Sequence, residues 1–476
     1  MSSHDEKAAW EEAQQAEDRN VKPTKANGGR RNAPFYKVLQ GMPIAVDAFR
    51  YGAIPNVTAY FLTHAHSDHY TNLSSNWKNG LIYCSETTAN LVVHMLSVDK
   101  KWVRPLPMNV PTVVPNSGGV TVTLIEANHC PGSCLFFFEG KQTVNAGDSS
   151  FKSNFVGSSR IFRYLHCGDF RACPHHVLHP SVKGKKIDTV YLDTTYLNPK
   201  YCFPPQPQVV SACAELVRRV AAGESIDGTP DAGSRTSLTG WFNKSSEASL
   251  KACGLLIVVG TYSIGKERIV KGIAKSLNSK IFCDGRKTAI LRCEDDDELL
   301  SMLTNDPCDA RVHVVPLGTV SSDRLGDYIE KLARRKDSSR LKWERVIAFR
   351  PTGWTFTPPA GMDMSPSISK VLARDMTRAP FTYAQLKPIR ANAAPVSVKS
   401  KITVYGVPYS EHSSFFELTC FALSCDWVRM IATVNVGSAA SRAKMSSWVA
   451  KWEKERERRR SGEEDVVVPY RSEDYW

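Results

Sequence analysis

The chain has 476 residues, of which 42% are hydrophobic and 23% charged, and its formal net charge is +13 at pH 7. No apolar run is long enough to cross a bilayer, and the acidic first twenty residues fit neither a signal nor a transit peptide. These features exclude a membrane protein and a secreted one, so we expect a globular intracellular protein of two or three domains. The basic balance favours a polyanionic partner, of which nucleic acid is the commonest.

The thirteen cysteines are scattered and form no Cys-x-x-Cys pair. Such a distribution indicates reduced thiols in the cytosol or nucleus rather than a disulfide framework. Cys130 and Cys134 are separated by a probable tight turn, and we interpret them as small buried hydrophobic residues before metal ligands.

Residues 1–33 are polar and predict a disordered tail with room for one short helix. The globular part begins at Pro34. The apolar run Ala59–Leu62 predicts the end of a buried strand, and Thr63-His-Ala-His-Ser-Asp-His69 follows it directly. Imidazole and carboxylate are ligands that zinc and manganese prefer. In an extended loop His64 and His66 point the same way and can hold one ion, while Asp68 and His69 can face a second.

Further acidic and imidazole side chains follow other predicted strands, at the rim of an α/β core where catalytic sites assemble. They are Asp47, His129, Asp169 and Asp193. Residues 141–160 are rich in Ser, Asn and Gly and predict a loop insertion. His175, His176 and His179 lie between prolines, and we interpret them as surface residues of a loop.

A second domain is predicted after the prolines at 204–207. Strands and helices alternate from there, which is typical of a parallel sheet. Residues 221–249 predict a long loop, and residues 391–395 a linker back to the first domain. We therefore divide the chain into a tail at 1–33, a first domain at 34–204, an inserted domain at 205–394, and a returning segment at 395–476 that includes a strand at 401–407 and a last helix.

The candidate ligands divide between two ions about 3.5–4 Å apart, a separation that suits a hydrolytic site. The first ion takes His64, His66 and His129. The second takes Asp68, His69 and His412, and Asp169 bridges both. Two cations lower the pKa of a water between them, so hydroxide can attack the phosphorus of a phosphodiester in line.

At this point the motifs resemble a known family. The His64–His69 segment with Asp47, His129 and Asp169 is similar to the metallo-β-lactamase signature. Narrower motifs resemble its β-CASP branch and, within it, the DNA cross-link repair nucleases, a group that includes Artemis. These motifs are Asn128–Ser133, Gly168–Arg171, Leu192–Tyr196 and Pro408–Ser414.

The resemblance implies an α/β fold, a metallo-β-lactamase αββα sandwich interrupted by a β-CASP α/β domain. It matches Asp193 and His412 to β-CASP motifs, gives catalytic roles to both and to Asp68 and Asp169, and makes Asp47 a support of the metal site. It implies zinc, one or two ions, with magnesium or manganese possible at the second position.

The implied activity is a nuclear 5′→3′ exonuclease on 5′-phosphorylated DNA, single-stranded or cross-linked, in interstrand cross-link repair. In the family that the chain resembles, the third β-CASP motif is a His in the RNA-processing enzymes and a Val in the DNA enzymes. The corresponding segment here, Ile431–Gly437, carries no histidine, so the resemblance favours DNA over RNA as substrate. A structure-selective endonuclease of the Artemis type and, more distantly, a small-molecule metallo-hydrolase remain alternatives. No cysteine precedes Cys84, so we do not expect the ubiquitin-binding zinc finger of some relatives.

Two segments are candidates for phosphate binding. Ser414 and Glu417 form a capping-box pattern, and a helix beginning there could offer Ser413, Ser414 and backbone amides to a phosphate. A plain helix cap is the alternative. The glycine-rich stretch 260–267 follows a predicted strand and opens a helix, and Ser263 and Lys266 could contact DNA phosphate. The alternative there is an ordinary strand-to-helix turn.

Overall fold

The computed structural model describes residues 3–17, 30–224, 254–334, 343–389, 401–460 and 467–476. Most of the predicted loop at 221–249 and the whole predicted linker at 391–395 lie outside these ranges. The chain divides into two compact units. Unit 1 comprises Met1–Cys202, Pro358–Arg378 and Glu411–Trp476, and unit 2 comprises Phe203–Thr357 and Ala379–Ser410.

The regular elements are numbered in chain order. The strands are β1 Ile44–Val46, β2 Ala59–Phe61, β3 Leu81–Ser85, β4 Val103–Leu106, β5 Thr112–Val113, β6 Thr121–Glu126, β7 Cys134–Lys141, β8 Ile161–His166, β9 Thr189–Leu192, β10 Leu255–Thr261, β11 Lys280–Phe282, β12 Leu303–Thr304, β13 Ala310–Pro316, β14 Arg345–Pro351, β15 Lys387–Pro388, β16 Lys401–Val407 and β17 Met430–Ala432. The helices are α1 Ser3–Glu17, α2 Glu86–Leu96, α3 Pro174–Leu178, α4 Gln206–Ala221, α5 Glu267–Ser276, α6 Gly285–Leu291, α7 Asp297–Met302, α8 Ser322–Ala333, α9 Ile368–Met376, α10 Phe415–Ser424 and α11 Ala439–Arg460.

Unit 1 contains two sheets that share a core. A parallel sheet has the order β1-β2-β3-β4, and a mixed sheet has the order β17-β9-β8-β7-β6-β5. Side chains of both sheets interdigitate in one buried cluster. Phe61 of β2, for example, lies with its ring 5.2 Å from that of Phe136 and 5.0 Å from that of Phe138, both on β7. Stacked sheets bury one face of each in this way.

Helices cover the outer faces of these sheets. α10 and α11 pack on the mixed sheet, where Phe421, Trp448 and Trp452 join a second buried cluster. α2 lies against β3 and β4. Unit 1 therefore has the helix, sheet, sheet, helix layering that the resemblance implies. Two parallel strands, β2 and β9, end close to the histidine and aspartate motifs.

Unit 2 contains one sheet with the order β12-β11-β13-β10-β14-β16-β15, parallel except for the edge strand β15. α4 and α5 bury one face, and α8 buries the other. A parallel sheet needs cover on both faces, which explains the continuous apolar runs of β10 and β14. The alternating strands and helices of the sequence predict this parallel sheet correctly.

The return to unit 1 occurs later than the sequence indicates. β16 pairs in parallel with β14 from Lys401↔Arg345 to Val407↔Pro351, so the strand at 401–407 belongs to the sheet of unit 2. Residues 358–378, expected in the inserted domain, belong to unit 1. The reason is that Val371 and Leu372 of α9 are buried in the cluster beneath α10.

The amino-terminal segment also differs from expectation. Residues 3–17 form α1, whose Ala9 and Ala13 are buried in the core between the sheets. The predicted tail had room for one short helix, and a helix is present, but it has 15 residues and packs on the core, where disorder was expected. Small alanines let this helix approach the core closely without bulky apolar residues. Among the described residues, no helix combines the length and apolar character needed to cross a membrane.

Candidate metal centre

Three imidazoles converge after β2 and β6. The Nε2 atom of His64 lies 2.9 Å from Nδ1 of His66, and that atom lies 3.1 Å from Nε2 of His129. His64 and His129 are buried. Burial lowers the pKa of His64 well below its usual value and that of His129 to about 3, so both rings are neutral, which is the form that binds metal.

The carboxylate of Asp169 lies at the centre of the remaining ligands. Its Oδ2 atom is 3.2 Å from Nε2 of His69 and 3.8 Å from Nε2 of both His64 and His412. Burial opposes ionisation of Asp169, but the facing rings of His69 and His412 outweigh it and hold the pKa well below the usual range. An ionised carboxylate is therefore surrounded by imidazole nitrogens.

Carboxylate and backbone oxygens form hydrogen bonds with the Nδ1 atoms of three of these histidines. Nδ1 of His69 is 2.7 Å from Oδ2 of Asp47, and Nδ1 of His412 is 2.8 Å from Oδ2 of Asp193. Nδ1 of His129 is 2.7 Å from the carbonyl oxygen of Glu411. Each partner accepts a hydrogen bond from Nδ1 and turns Nε2 toward the cluster, an arrangement typical of metal-binding histidines.

Asp47 adopts a left-handed backbone with φ of 49° that places its carboxylate beneath the histidine loop. Besides His69, it accepts hydrogen bonds from the backbone N–H of Thr63 at 2.9 Å and from the Thr63 hydroxyl at 2.8 Å. Asp47 is buried. This geometry is that of a residue that supports ligands.

The donor set fits a divalent metal. Ligand atoms of three overlapping groups lie within 4.8 Å of one another: His64, His66, His129 and Cys130; His64, His69 and Asp169; His129, Asp169 and His412. Nitrogen and carboxylate oxygen donors suit zinc, and negative charge offsets a cation. Asp68 lies at the edge, with its side chain 77% exposed and Oδ2 3.7 Å from Nε2 of His69, so its role as a ligand stays a prediction.

The helix that follows His412 begins with the predicted capping box. Ser414 Oγ accepts from the N–H of Glu417 at 3.2 Å, and Glu417 Oε2 accepts from the N–H of Ser414 at 2.6 Å. Ser413 Oγ donates to the carbonyl of Phe170 and accepts from the N–H of Ala172, both at 2.9 Å. Both serines are buried and their hydroxyl groups are engaged in these hydrogen bonds, and their contact with phosphate stays a prediction.

Ser263 and Lys266 lie in unit 2, between β10 and α5. Lys266 has a left-handed φ of 73° and its Nζ lies 4.4 Å from the Tyr262 ring centroid. Its side chain is buried, whereas Ser263 is exposed. Their contact with DNA phosphate stays a prediction.

Several contributors escape sequence reasoning. Arg171 and Glu417 form a buried ion pair at 3.0 Å that joins the Asp169 loop to α10. The sequence places Arg171 in a motif and Glu417 in the capping box, but nothing in it indicates that the two side chains pair. Cys130 lies among the first three histidines.

His176 is wholly buried in α3, with Nε2 2.9 Å from the carbonyl oxygen of Glu126. His179 is buried too, so the interpretation of these two histidines as surface residues is wrong.

A cavity of about 420 Å³ opens beside the cluster. Asp68, His69 and Asp169 line part of it, and the segment Thr433–Gly437 lines another part. Lys37 and Arg50 add positive charge, and residues of α1 line a further part of the cavity. All of these residues belong to unit 1.

Known proteins resemble this chain over most of its length. A family model described as DNA repair metallo-beta-lactamase matches residues 297–438. The DNA cross-link repair protein pso2/snm1 of Schizosaccharomyces pombe is 41% identical over 90% of this chain and 66% of its own length. The DNA cross-link repair protein SNM1 of Arabidopsis thaliana is 35% identical over 90% and 71%. The 5′ exonuclease Apollo of Gallus gallus is 27% identical over 84% and 62%. The chain thus spans roughly two thirds of the length of these relatives.

Proposed function

Because the chain belongs to the metallo-β-lactamase family of DNA cross-link repair nucleases, we propose that it is a metal-dependent 5′→3′ DNA exonuclease acting in interstrand cross-link repair. One observation carries the proposal. The carboxylate of Asp169 faces imidazole nitrogens of His64, His69 and His412 at 3.2–3.8 Å. His412 reaches this place from the segment that follows unit 2.

Zinc is the ion that this donor set suits best, because imidazole nitrogen dominates it. His64, His66 and His129 would hold a first ion, Asp68, His69 and His412 would hold a second, and Asp169 would be a ligand available to either. Magnesium or manganese fits the second position, where oxygen donors are more numerous. When bound, such ions lower the pKa of water and offset charge on phosphate oxygens.

The chain's own residues position these ligands for the reaction. Asp47 and Asp193 accept hydrogen bonds from the Nδ1 atoms of His69 and His412, so the Nε2 atoms of both rings face the ligand cluster, where a bound metal would displace any proton on them. Asp193 acts on the reaction through His412. Asp169, ionised and buried, would supply negative charge that offsets the charge of a bound cation.

The substrate is a DNA strand with a 5′-phosphate. The net charge of +13 favours a polyanion, and Lys37 and Arg50 place positive charge in the cavity beside the ligands. Unit 1 is the metallo-β-lactamase domain and unit 2 the β-CASP domain, in which the exposed Ser263 contacts DNA phosphate. Lys266 would join that contact only by leaving its buried position beside the Tyr262 ring. The site of action is the nucleus.

The direct test uses end-labelled single strands that differ only in bearing a 5′-phosphate or a 5′-hydroxyl, together with a hairpin of the same length. Purified protein is incubated with each substrate under zinc-replete conditions and again after treatment with a chelator. Stepwise shortening of the phosphorylated strand, lost with chelator and restored by zinc, is expected.

Other outcomes distinguish the alternatives. A single cut in the hairpin, with little shortening of linear strands, favours a structure-selective endonuclease. Hydrolysis of a thioester or lactam without cleavage of DNA favours a small-molecule hydrolase. Absence of cleavage of every DNA under metal-replete conditions overturns both nuclease assignments.

A further inference from the structure

Helix α1 is firmly seated on unit 1. Ala9 is fully buried and Ala13 is 3% exposed, so the two form a flat stripe against the core. Between them, the ring of Trp10 lies 4.7 Å from that of Phe35 and 5.7 Å from that of Tyr36. Aromatic pairs at these distances add to the stabilisation that burial provides.

Polar contacts tie α1 to two distant segments. Oε2 of Glu12 accepts hydrogen bonds from Ser149 Oγ at 2.8 Å and from the backbone N–H of Ser150 at 3.0 Å. On the other side, the guanidinium of Arg442 in α11 donates to Oε1 of Gln14 at 3.3 Å and lies 5.5 Å from the Trp10 ring. The helix is therefore fixed by an apolar stripe and by contacts to both flanks.

This helix forms one wall of the cavity beside the metal ligands. Trp10, Ala13 and Gln14 line the same cavity of about 420 Å³ as His69 and Asp169. That volume is at the lower end of the ~300–1,000 Å³ of ordinary ligand pockets. It accommodates about one nucleotide. A continuous strand needs instead an open groove that follows the backbone in both directions.

We propose that α1 selects strand ends: by walling the cavity, it admits a terminal nucleotide and excludes a strand that must pass through. Such a selection of strand ends rests on the proposed nuclease function. The residues responsible for it lie in a helix outside the ligand motifs. Detaching α1 removes the Trp10, Ala13 and Gln14 side of the cavity, extends it into a groove and allows internal cleavage.

The test compares a 5′-phosphorylated linear single strand with a covalently closed circle of the same sequence, which has no end. Ala13→Glu places a carboxylate at a buried position and releases the helix, because an unpaired buried charge is strongly unfavourable. Gln15→Glu adds the same side chain at an exposed position of α1 and is the matched control. Hydrogen exchange of residues 3–17 reports whether the helix has detached.

Wild-type protein and Gln15→Glu are expected to shorten the linear strand and leave the circle intact. In Ala13→Glu the ratio of circle cleavage to linear cleavage rises by about tenfold or more, equivalent to about 1.4 kcal/mol of selectivity. If Ala13→Glu fails to fold or to release α1, a chain that lacks residues 1–20 replaces it in the test. That chain is expected to show the same rise in the ratio of circle cleavage to linear cleavage. An intact circle with a detached or deleted helix overturns the proposal. Failure of the wild type to cleave linear DNA contradicts the nuclease function instead.

Discussion

The imidazole of His412 donates from Nδ1 to Oδ2 of Asp193 across 2.8 Å, although the two residues are 219 positions apart. Asp193 is buried and also accepts a hydrogen bond from the N–H of Thr195 at 2.9 Å. The position of its carboxylate is therefore fixed independently of His412. Burial lowers the pKa of His412, but Asp193 and Asp169 outweigh it and raise that pKa to about 9. The bond thus joins His412, a proposed metal ligand, to the loop that directly follows β9.

Replacing Asp193 by Asn tests this link. The amide keeps the shape of the side chain but removes the charge that orients His412, so we expect nuclease activity to fall about 10- to 100-fold. Metal content should fall with it, while far-ultraviolet circular dichroism is unchanged. Asp99→Asn, at an exposed aspartate that pairs with Lys101, is the control. A rate within twofold of wild type would show that His412 needs no such partner.

Gly168 is a second test, because it precedes Asp169 and contacts the histidine loop. A Cβ at this glycine would lie 2.7 Å from Cγ2 of Thr63, whose hydroxyl and N–H bind Asp47. Gly168→Ala should therefore displace Thr63 and weaken zinc binding and activity together. Isothermal titration with zinc and the rate of DNA cleavage are the measurements.

Gly184→Ala is the matched control for that substitution. Both glycines have left-handed φ angles, 57° and 72°, so alanine costs each about 1–2 kcal/mol of backbone energy. Nothing lies within 4 Å of a Cβ at Gly184. Equal loss of zinc affinity in the two variants would mean that general destabilisation, and not the contact with Thr63, is responsible.

The buried pair of Arg171 and Glu417 predicts a stability effect. Arg171→Leu leaves the Glu417 carboxylate without its guanidinium in the core, which should cost about 3–5 kcal/mol of unfolding free energy. The double variant Arg171→Leu/Glu417→Leu should recover part of this loss, because no buried charge remains. Urea unfolding measures both. Arg160→Leu, which breaks an exposed pair with Asp188, should cost less than about 1 kcal/mol; equal losses would contradict the account.

A pH effect is expected from His313 in the sheet of unit 2. Burial lowers its pKa to about 4, and its ring lies within hydrogen-bond distance of the Tyr328 hydroxyl and the Pro307 carbonyl. The unfolded chain, with a histidine pKa near 6.5, binds the proton first as pH falls. Stability is therefore present above pH 6.5 and lost toward pH 4, by about 2 kcal/mol between pH 7 and 5. His313→Gln should remove about 2 kcal/mol from the difference between the unfolding free energies measured by urea titration at pH 7 and pH 5. An unchanged difference would contradict this account.

Local spacing explains what the sequence could predict. The pattern from His64 to His69 and the capping box at Ser414 are set by neighbours in the chain, and the structure contains both the convergent histidines and the cap. The strand ends that carry His129 and Asp169 followed from apolar runs. These features need only the periodicity of strands and helix starts.

The remainder depends on packing that no local pattern records. α1 is seated by two alanines and one tryptophan, too few apolar residues to distinguish from a polar tail. β16 reads as a strand, but whether it pairs in unit 2 or returns to unit 1 depends on register with β14. The partners of Nδ1 in His129 and His412 likewise come from residues 282 and 219 positions away.

Asp169→Asn tests the central claim most directly, because this carboxylate faces ligands of both proposed ions. The measurement is the zinc content of the purified variant together with its rate of shortening a 5′-phosphorylated strand. Zinc content below that of wild type and a rate reduced by more than about 100-fold, with the fold retained, are predicted. Zinc content and rate close to those of wild type would contradict a metal-dependent nuclease centred on Asp169.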